Sequence, residues 1–282
     1  MPQVLTEPSF HQPPTKVNEE AFVVHEVQHA LGEPLSVYLN SLIIRAAEPV
    51  LVDTGTQRNR KAWLEDTFSL VDPEDVRWVF ISHEDVDHVG NLVEVMEMCP
   101  KATLICSWAL MERFHNAFEF PLQRCKWIDD GGSFMAGDRE LRALRPPVYD
   151  SPTTRGLLDV STGLYWAVDA FATPVPGGNG ANSIPTNVSE LDEGFWQGAM
   201  AMFAVHALSP WVRLVDAERF STHVSQIEQQ RISTVVGAHT PVINGDRVSM
   251  LWGWLRSLPE MSVPPAPDQA ALDLIIAATH TP

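Results

Sequence analysis

The chain has 282 residues, 45% of them hydrophobic, enough to bury a substantial core as one large domain. Its formal net charge of −17 argues against a nucleic-acid or anionic-membrane surface, because neither polyanion gains from an acidic partner, and it favours cations. Cys99, Cys106 and Cys125 lack CxxC spacing and cannot all pair, which fits reduced core thiols better than a disulfide framework. With no secretory leader pattern and no apolar run of membrane length, the expectation is a cytoplasmic protein with neither nucleic acid nor membrane among its partners.

Residues 1–20 are proline-rich and polar and read as an N-terminal arm. Residues 21–282 read as a single domain, with C-terminal helices over 248–279 packed on it. Branched residues predict strands over 21–27, 36–45 and 49–52, the last running into Asp53-Thr54-Gly55. Asp53 either orients a ligand or bonds the turn backbone. An amphipathic helix over 57–70 precedes a strand over 76–82, a second helix follows over 89–98, and a third over 107–118 has Ser107 as its cap.

Between the strand at 76–82 and the helix at 89–98 lies Ser82-His83-Glu84-Asp85-Val86-Asp87-His88. Side chains on a loop leaving a strand can converge on one point, so these imidazoles and carboxylates could bind one metal, or two sharing a bridge. The plainer alternative is an acidic turn capping the next helix.

The second half opens β-rich, with a strand over 140–144 and a hairpin pairing 156–160 with 164–169 that delivers Asp169 at a strand end. Residues 172–188 form a Gly/Pro/Asn-rich loop suited to a lid or pocket wall. Helical patterns follow over 189–208 and 211–231, then a strand over 233–236 and the turn Gly237-Ala238-His239-Thr240-Pro241. His25 and His29 read as core or surface groups. His206, in an apolar helix, reads as a buried, hydrogen-bonded imidazole.

The order LVDTG (51–55), SHEDVDHVGN (82–91), AVDAF (167–171) and GAHTP (237–241) resembles the metallo-β-lactamase superfamily over about residues 21–258. Asp85 in place of the second motif imidazole, with Asn40-Ser41 before the DTG strand, is more similar to flavodiiron proteins and their stand-alone oxygen-binding relatives. The resemblance implies an α/β fold, a four-layer αβ/βα sandwich of two mixed sheets flanked by helices. It also implies two metal ions, with His83 and Asp85 on the first, Asp87, His88 and His239 on the second, and Asp169 between them. A carboxylate-rich set favours iron, with zinc or manganese as alternatives. Aligning Asp150-Ser151 with the family's Asp-Ser puts Pro147 where a further imidazole belongs. Tyr149, Asp150, Asp159 or a water could substitute, or the first metal could be weak or absent.

Three functions fit these residues. The first is a di-iron protein that binds or reduces dioxygen or nitric oxide, taking electrons from an external donor because neither the length nor a phosphate-cradling loop suits a fused flavodoxin. The second is a metallo-hydrolase of an ester, lactone or thioester, in which a metal-bound hydroxide attacks and Asp85 or Asp87 orients or deprotonates it. The third is a partner-binding platform with a degenerate site. Each allows a homo-oligomer.

Overall fold

A computed structural model describes residues 11–30, 34–115, 117–177 and 184–279. In chain order the elements are β1 (Thr15–Lys16), β2 (Ala21–Val24), β3 (Val27–His29), β4 (Leu35–Tyr38), β5 (Ser41–Ile44), β6 (Val50–Val52), α1 (Arg60–Leu70) and β7 (Trp78–Phe80). There follow α2 (Val86–Val89), α3 (Leu92–Met98), β8 (Thr103–Cys106), α4 (Trp108–Phe114), β9 (Cys125–Trp127), β10 (Ser133–Ala136), β11 (Arg139–Leu144), β12 (Gly156–Asp159) and β13 (Leu164–Trp166). The chain continues through β14 (Val175–Pro176), α5 (Glu193–Phe203), α6 (Ala217–Glu228), β15 (Thr234–Gly237), β16 (Thr240–Asn244), α7 (Asp246–Ser257) and α8 (Gln269–Thr279).

The strands form one sheet ordered β1-β2-β5-β6-β7-β8-β9, a second ordered β10-β11-β12-β13-β15-β16, and a small third ordered β14-β4-β3. Both large sheets are mixed: β6, β7, β8 and β9 run parallel, as do β13 and β15, while β2, β5 and β6 pair antiparallel. Their strands are apolar at successive positions because each face meets a different layer. Leu42, Ile44, Val50, Val52 and Phe80 pack inward against Leu141, Leu157, Trp166 and Val236 of the second sheet. Ile43, Leu51 and Val79 point outward to Trp63 of α1 and to Leu92, Val95 and Leu110 of α3 and α4. Tyr165, Val235 and Ile243 similarly meet Trp196, Phe220, Val224 and Leu251 of α5, α6 and α7. The result is the four-layer sandwich that the sequence implies.

Several element boundaries differ from expectation. The strand expected over 36–45 is two, β4 and β5, in different sheets, and the one expected over 21–27 is divided between β2 and β3. At the corner between β4 and β5, Asn40 replaces strand pairing by donating from Nδ2 to the carbonyls of Gly237 and Thr240 at 3.0 and 3.1 Å. The sequence could not mark the switch, since Leu35, Val37 and Leu39, half-buried in the structure, are as apolar as the fully buried residues of β5. The helices expected over 189–208 and 211–231 begin later, where Asp192 and Asp216 accept from the backbone N–H groups of Phe195 and Arg219. The helix expected over 89–98 starts later, as α3, and a separate one-turn helix, α2, takes in Asp87 and His88 where a loop was expected.

Of the stretch expected as a lid, Val175–Pro176 is pinned to β4 as β14, and 178–183 lie outside the described residues. In the arm, Thr15–Lys16 pair with β2, while residues 1–10 lie outside the described residues. All three cysteines are free, and burial pushes the thiols of Cys99 and Cys106 up to about 12. Among the described residues no helix is long and apolar enough to cross a membrane.

Candidate metal centre

The candidate ligands sit where parallel strands end, one group on each sheet. In the first sheet Val52 pairs with Phe80, so Asp53 and the loop from Ser82 leave adjacent strands at the same level. α2 then turns back over the Asp53-Thr54-Gly55 turn, and a Cβ on Gly90 would lie 2.4 Å from the Gly55 carbonyl oxygen, so only glycine allows that approach. In the second sheet Trp166 pairs with Val236, and Asp169 and His239 each lie three residues beyond. Equal offsets from parallel strands bring them to one point. The turn holding Asp169 is unusual: Val168 and Phe171, on either side, have φ of 58° and 68°, a region that costs a β-branched residue about 1–3 kcal/mol. Packing over-determines it, because Ala238 N–H donates to the Val168 carbonyl at 2.8 Å and Val168 itself is fully buried.

The two groups meet across the gap between the sheets. Asp169 Oδ2 lies 3.3 Å from His83 Nε2, while its Oδ1 lies 3.1 Å from His88 Nε2 and 3.3 Å from His239 Nε2. Asp87 Oδ2 is 3.4 Å from both His88 Nε2 and His239 Nε2. On the other side, His83 Nε2 is 3.7 Å from Asp85 Oδ2 and 3.8 Å from Asp150 Oδ2. His83 Nε2, His88 Nε2 and Asp169 Oδ1 are buried yet make no hydrogen bond, an arrangement costly for polar atoms unless something lies between them. Donors held about 2.1 Å from one cation stand roughly 3.0–3.4 Å apart, so the spacing suits metal ligands. The donor set of nitrogen and hard oxygen suits iron, manganese or zinc.

The far sides of two of the imidazoles are fixed. His88 Nδ1 donates to Asp53 Oδ2 at 2.8 Å, and His239 Nδ1 donates to the Tyr38 carbonyl at 2.7 Å, leaving each Nε2 to face the cluster. Asp53 also accepts from the Ser82 backbone N–H at 2.8 Å and from Trp166 Nε1 at 3.0 Å. Of the two roles weighed for Asp53, these bonds match the support of a candidate ligand: its backbone donor is Ser82, in the ligand loop, not its own turn, and Trp166 is a strut for it.

The carboxylates and imidazoles set one another's protonation. Burial opposes charge on His88, but Asp87, Asp169 and Asp53 overcome it and hold the imidazolium well above its ordinary range. Burial and His88 likewise oppose charge on His83, and Asp169 and Asp85 raise it to about 9. Burial also opposes the Asp169 carboxylate, but His88, His83 and His239 hold it well below the usual range. Asp150 goes the other way: burial, then the charge of Asp169, raise it to about 6. A cluster that retains protons so firmly is one that a metal would have to deprotonate on binding.

All six residues singled out from the sequence, His83, Asp85, Asp87, His88, Asp169 and His239, come together. The Tyr38 carbonyl and Glu84 were not foreseen as parts of the surroundings, the first because a backbone acceptor leaves no mark in a sequence. The other histidines weighed in the sequence, His25, His29 and His206, lie apart. His25 is buried between Asn40 and Thr15, His29 bonds Ser36, and His206 is exposed, not buried, against the Pro264 carbonyl.

A metallo-β-lactamase sandwich with an Asp/His cluster at the sheet ends defines the class. Residues 37–239 match the model of the ODP family beta lactamase, and the chain belongs to that family. Diflavin flavoprotein A 1 of Synechocystis sp. is 24% identical over 133 residues, which is 47% of this chain and 23% of that protein. The anaerobic nitric oxide reductase flavorubredoxin of Salmonella typhi is 24% identical over 133 residues, 47% of this chain and 28% of that protein. Rubredoxin oxygen:oxidoreductase of Desulfovibrio gigas has the same fold, with a TM-score of 0.73 and 15% identity over 88% of this chain and 61% of its own. Solved flavodiiron proteins share it too. The chain thus matches about a quarter of the length of these two curated relatives.

Proposed function

We propose that this chain is a non-haem di-iron protein that binds or reduces dioxygen or nitric oxide. His83 and Asp85 would hold the first iron and Asp87, His88 and His239 the second, with Asp169 shared by the two sets. Asp169 carries the proposal: its two oxygens face different imidazole sets at 3.1–3.3 Å, and the facing atoms of His83 and His88 are buried without hydrogen bonds. The iron pair, when bound, supplies adjacent one-electron centres for a diatomic oxidant.

The protein's own residues set the surroundings. Asp53 and the Tyr38 carbonyl fix the imidazole rings, and Trp166 closes the buried side. Asp85, with a side chain 57% exposed, is the carboxylate placed to exchange protons with solvent, and Asp87 is the partly buried acceptor beside His239. Reduction draws electrons from a donor outside the described fold.

The test is to load the chain with ferrous iron under nitrogen, measure metal content, and then admit oxygen or nitric oxide while recording the optical spectrum. About two irons per chain and a new ligand-to-metal absorption are expected. Preferential zinc loading with turnover of a chromogenic ester, and no response to either gas, would instead establish the hydrolase.

A further inference from the structure

We infer that Asp150 is a ligand of the first metal, standing in for the imidazole absent at Pro147, so that the centre has two chemically unlike halves. This rests on the two-metal reading above. One half would comprise His83, Asp85, Asp150 and Asp169, a single imidazole among three carboxylates. The other would comprise Asp87, His88, His239 and Asp169, with two imidazoles.

Of the substitutes that the sequence leaves open, Asp159 and Tyr149 are engaged elsewhere. Asp159 pairs with Arg139 at 2.7 Å and accepts from the Ser161 hydroxyl at 2.6 Å. The Tyr149 ring lies 5.0 Å from that of Trp211, and Arg145 covers it at 4.9 Å. Asp150 alone of the three faces the cluster, and His83 Nε2, fully buried and without a hydrogen bond, points to the same space.

The chain around Asp150 is fastened on both sides. Before it, the Tyr149 carbonyl accepts from Ser209 Oγ and Trp211 Nε1, each at 2.9 Å. After it, Ser151 Oγ donates to Glu84 at 3.1 Å, Thr153 Oγ1 donates to the other Glu84 oxygen, and Arg155 N–H donates to the Ser82 carbonyl at 2.9 Å. Glu84 is itself paired with Arg113. It therefore acts as a positioning residue, a clasp between the metal-binding loop and the segment carrying Asp150.

The halves differ in access as well as chemistry. Asp85 and Asp150 have side chains 57% and 22% exposed, against 16% for Asp87 and 15% for His239. Oxygen-rich, open coordination suits manganese or ferrous iron held exchangeably, whereas the imidazole-rich half holds divalent metals more firmly. Metal therefore binds in two steps, the closed half filling first.

The experiment is an anaerobic titration of chelator-stripped protein with Mn²⁺, followed by electron paramagnetic resonance and elemental analysis. Wild type takes two equivalents in unequal steps. Asp150→Ala takes one. Asp150→His takes two, with the weaker step shifted from manganese towards zinc, and Glu84→Gln weakens that step about 10–100-fold while leaving the tighter one unchanged. Circular dichroism checks folding, and should Asp150→Ala fail to fold, the other two variants decide. Two equivalents in Asp150→Ala with the weaker step unaltered, or Asp150→His and Glu84→Gln both indistinguishable from wild type, would overturn the assignment yet leave the two-metal reading standing. A wild type that binds fewer than two would overturn both.

Discussion

Asp53 lies outside the proposed metal ligands, yet it fixes the orientation of the cluster. Fully buried, it uses one carboxylate oxygen for the His88 imidazole and Trp166 indole and the other for the Ser82 backbone, so one residue sets both the ring and the loop. Replacing it with asparagine offers an amide where an acceptor is needed. Asp53→Asn should weaken the tighter metal by about 10–100-fold with little change in the weaker one, as read by competition with a chromophoric chelator. Equal affinity in the variant would mean that the Asp53–His88 bond has no bearing on the site. Asp53 was visible in the sequence as a candidate, but the choice between ligand support and turn bonding was not, because its partners come from residues 29 to 113 positions away.

At the scale of elements, His25 ties strands together. It follows β2, and its ring bonds Thr15 of β1 and Asn40 at the corner between β4 and β5, each at 2.8 Å. Burial lowers it to about 4, against a bond to Asn40 that partly raises it. The unfolded chain, titrating near 6.5, therefore binds a proton that the folded chain refuses. This neutral-imidazole contribution is complete above pH 6.5 and is lost as pH falls through 4, amounting to on the order of 3 kcal/mol. The stability advantage of wild type over His25→Gln, measured by urea unfolding, should shrink from pH 7 to pH 4; an advantage independent of pH would refute the neutral assignment. The boundary at 38–40 was hidden because the half-buried positions of β4 are as apolar as the buried ones of β5, whereas β6 ends at its expected residue, where a turn follows; β7 and β13 stop at Phe80 and Trp166, short of the expected 82 and 169.

For the molecule as a whole, seven negatively or positively chargeable groups at the sheet ends, namely Asp85, Asp87, Asp150, Asp169, His83, His88 and His239, are crowded together in a chain of formal net charge −17. A cation that binds only the folded state should stabilise it, by about 4 kcal/mol for a site filled at a thousandfold excess over its Kd. Stripping the metal should therefore lower the melting temperature by on the order of 10 °C, read by calorimetry with and without chelator and reversed by ferrous iron or Mn²⁺. No shift would favour a partner-binding platform with a degenerate site.

The order of short motifs determined the architecture, and four of the candidate ligands, His83, Asp85, Asp87 and His88, were assured of proximity because they lie within six consecutive residues. Tertiary structure alone decided that Asp169 and His239 reach them, since that depends on β13 and β15 running parallel with ends in register. It also placed Asp150, rather than Tyr149 or Asp159, beside His83, an order of proximity that the sequence could not supply. A sequence records which side chains have ligand chemistry; which of them face one point is set by strand pairing and by the contacts that hold a loop in place.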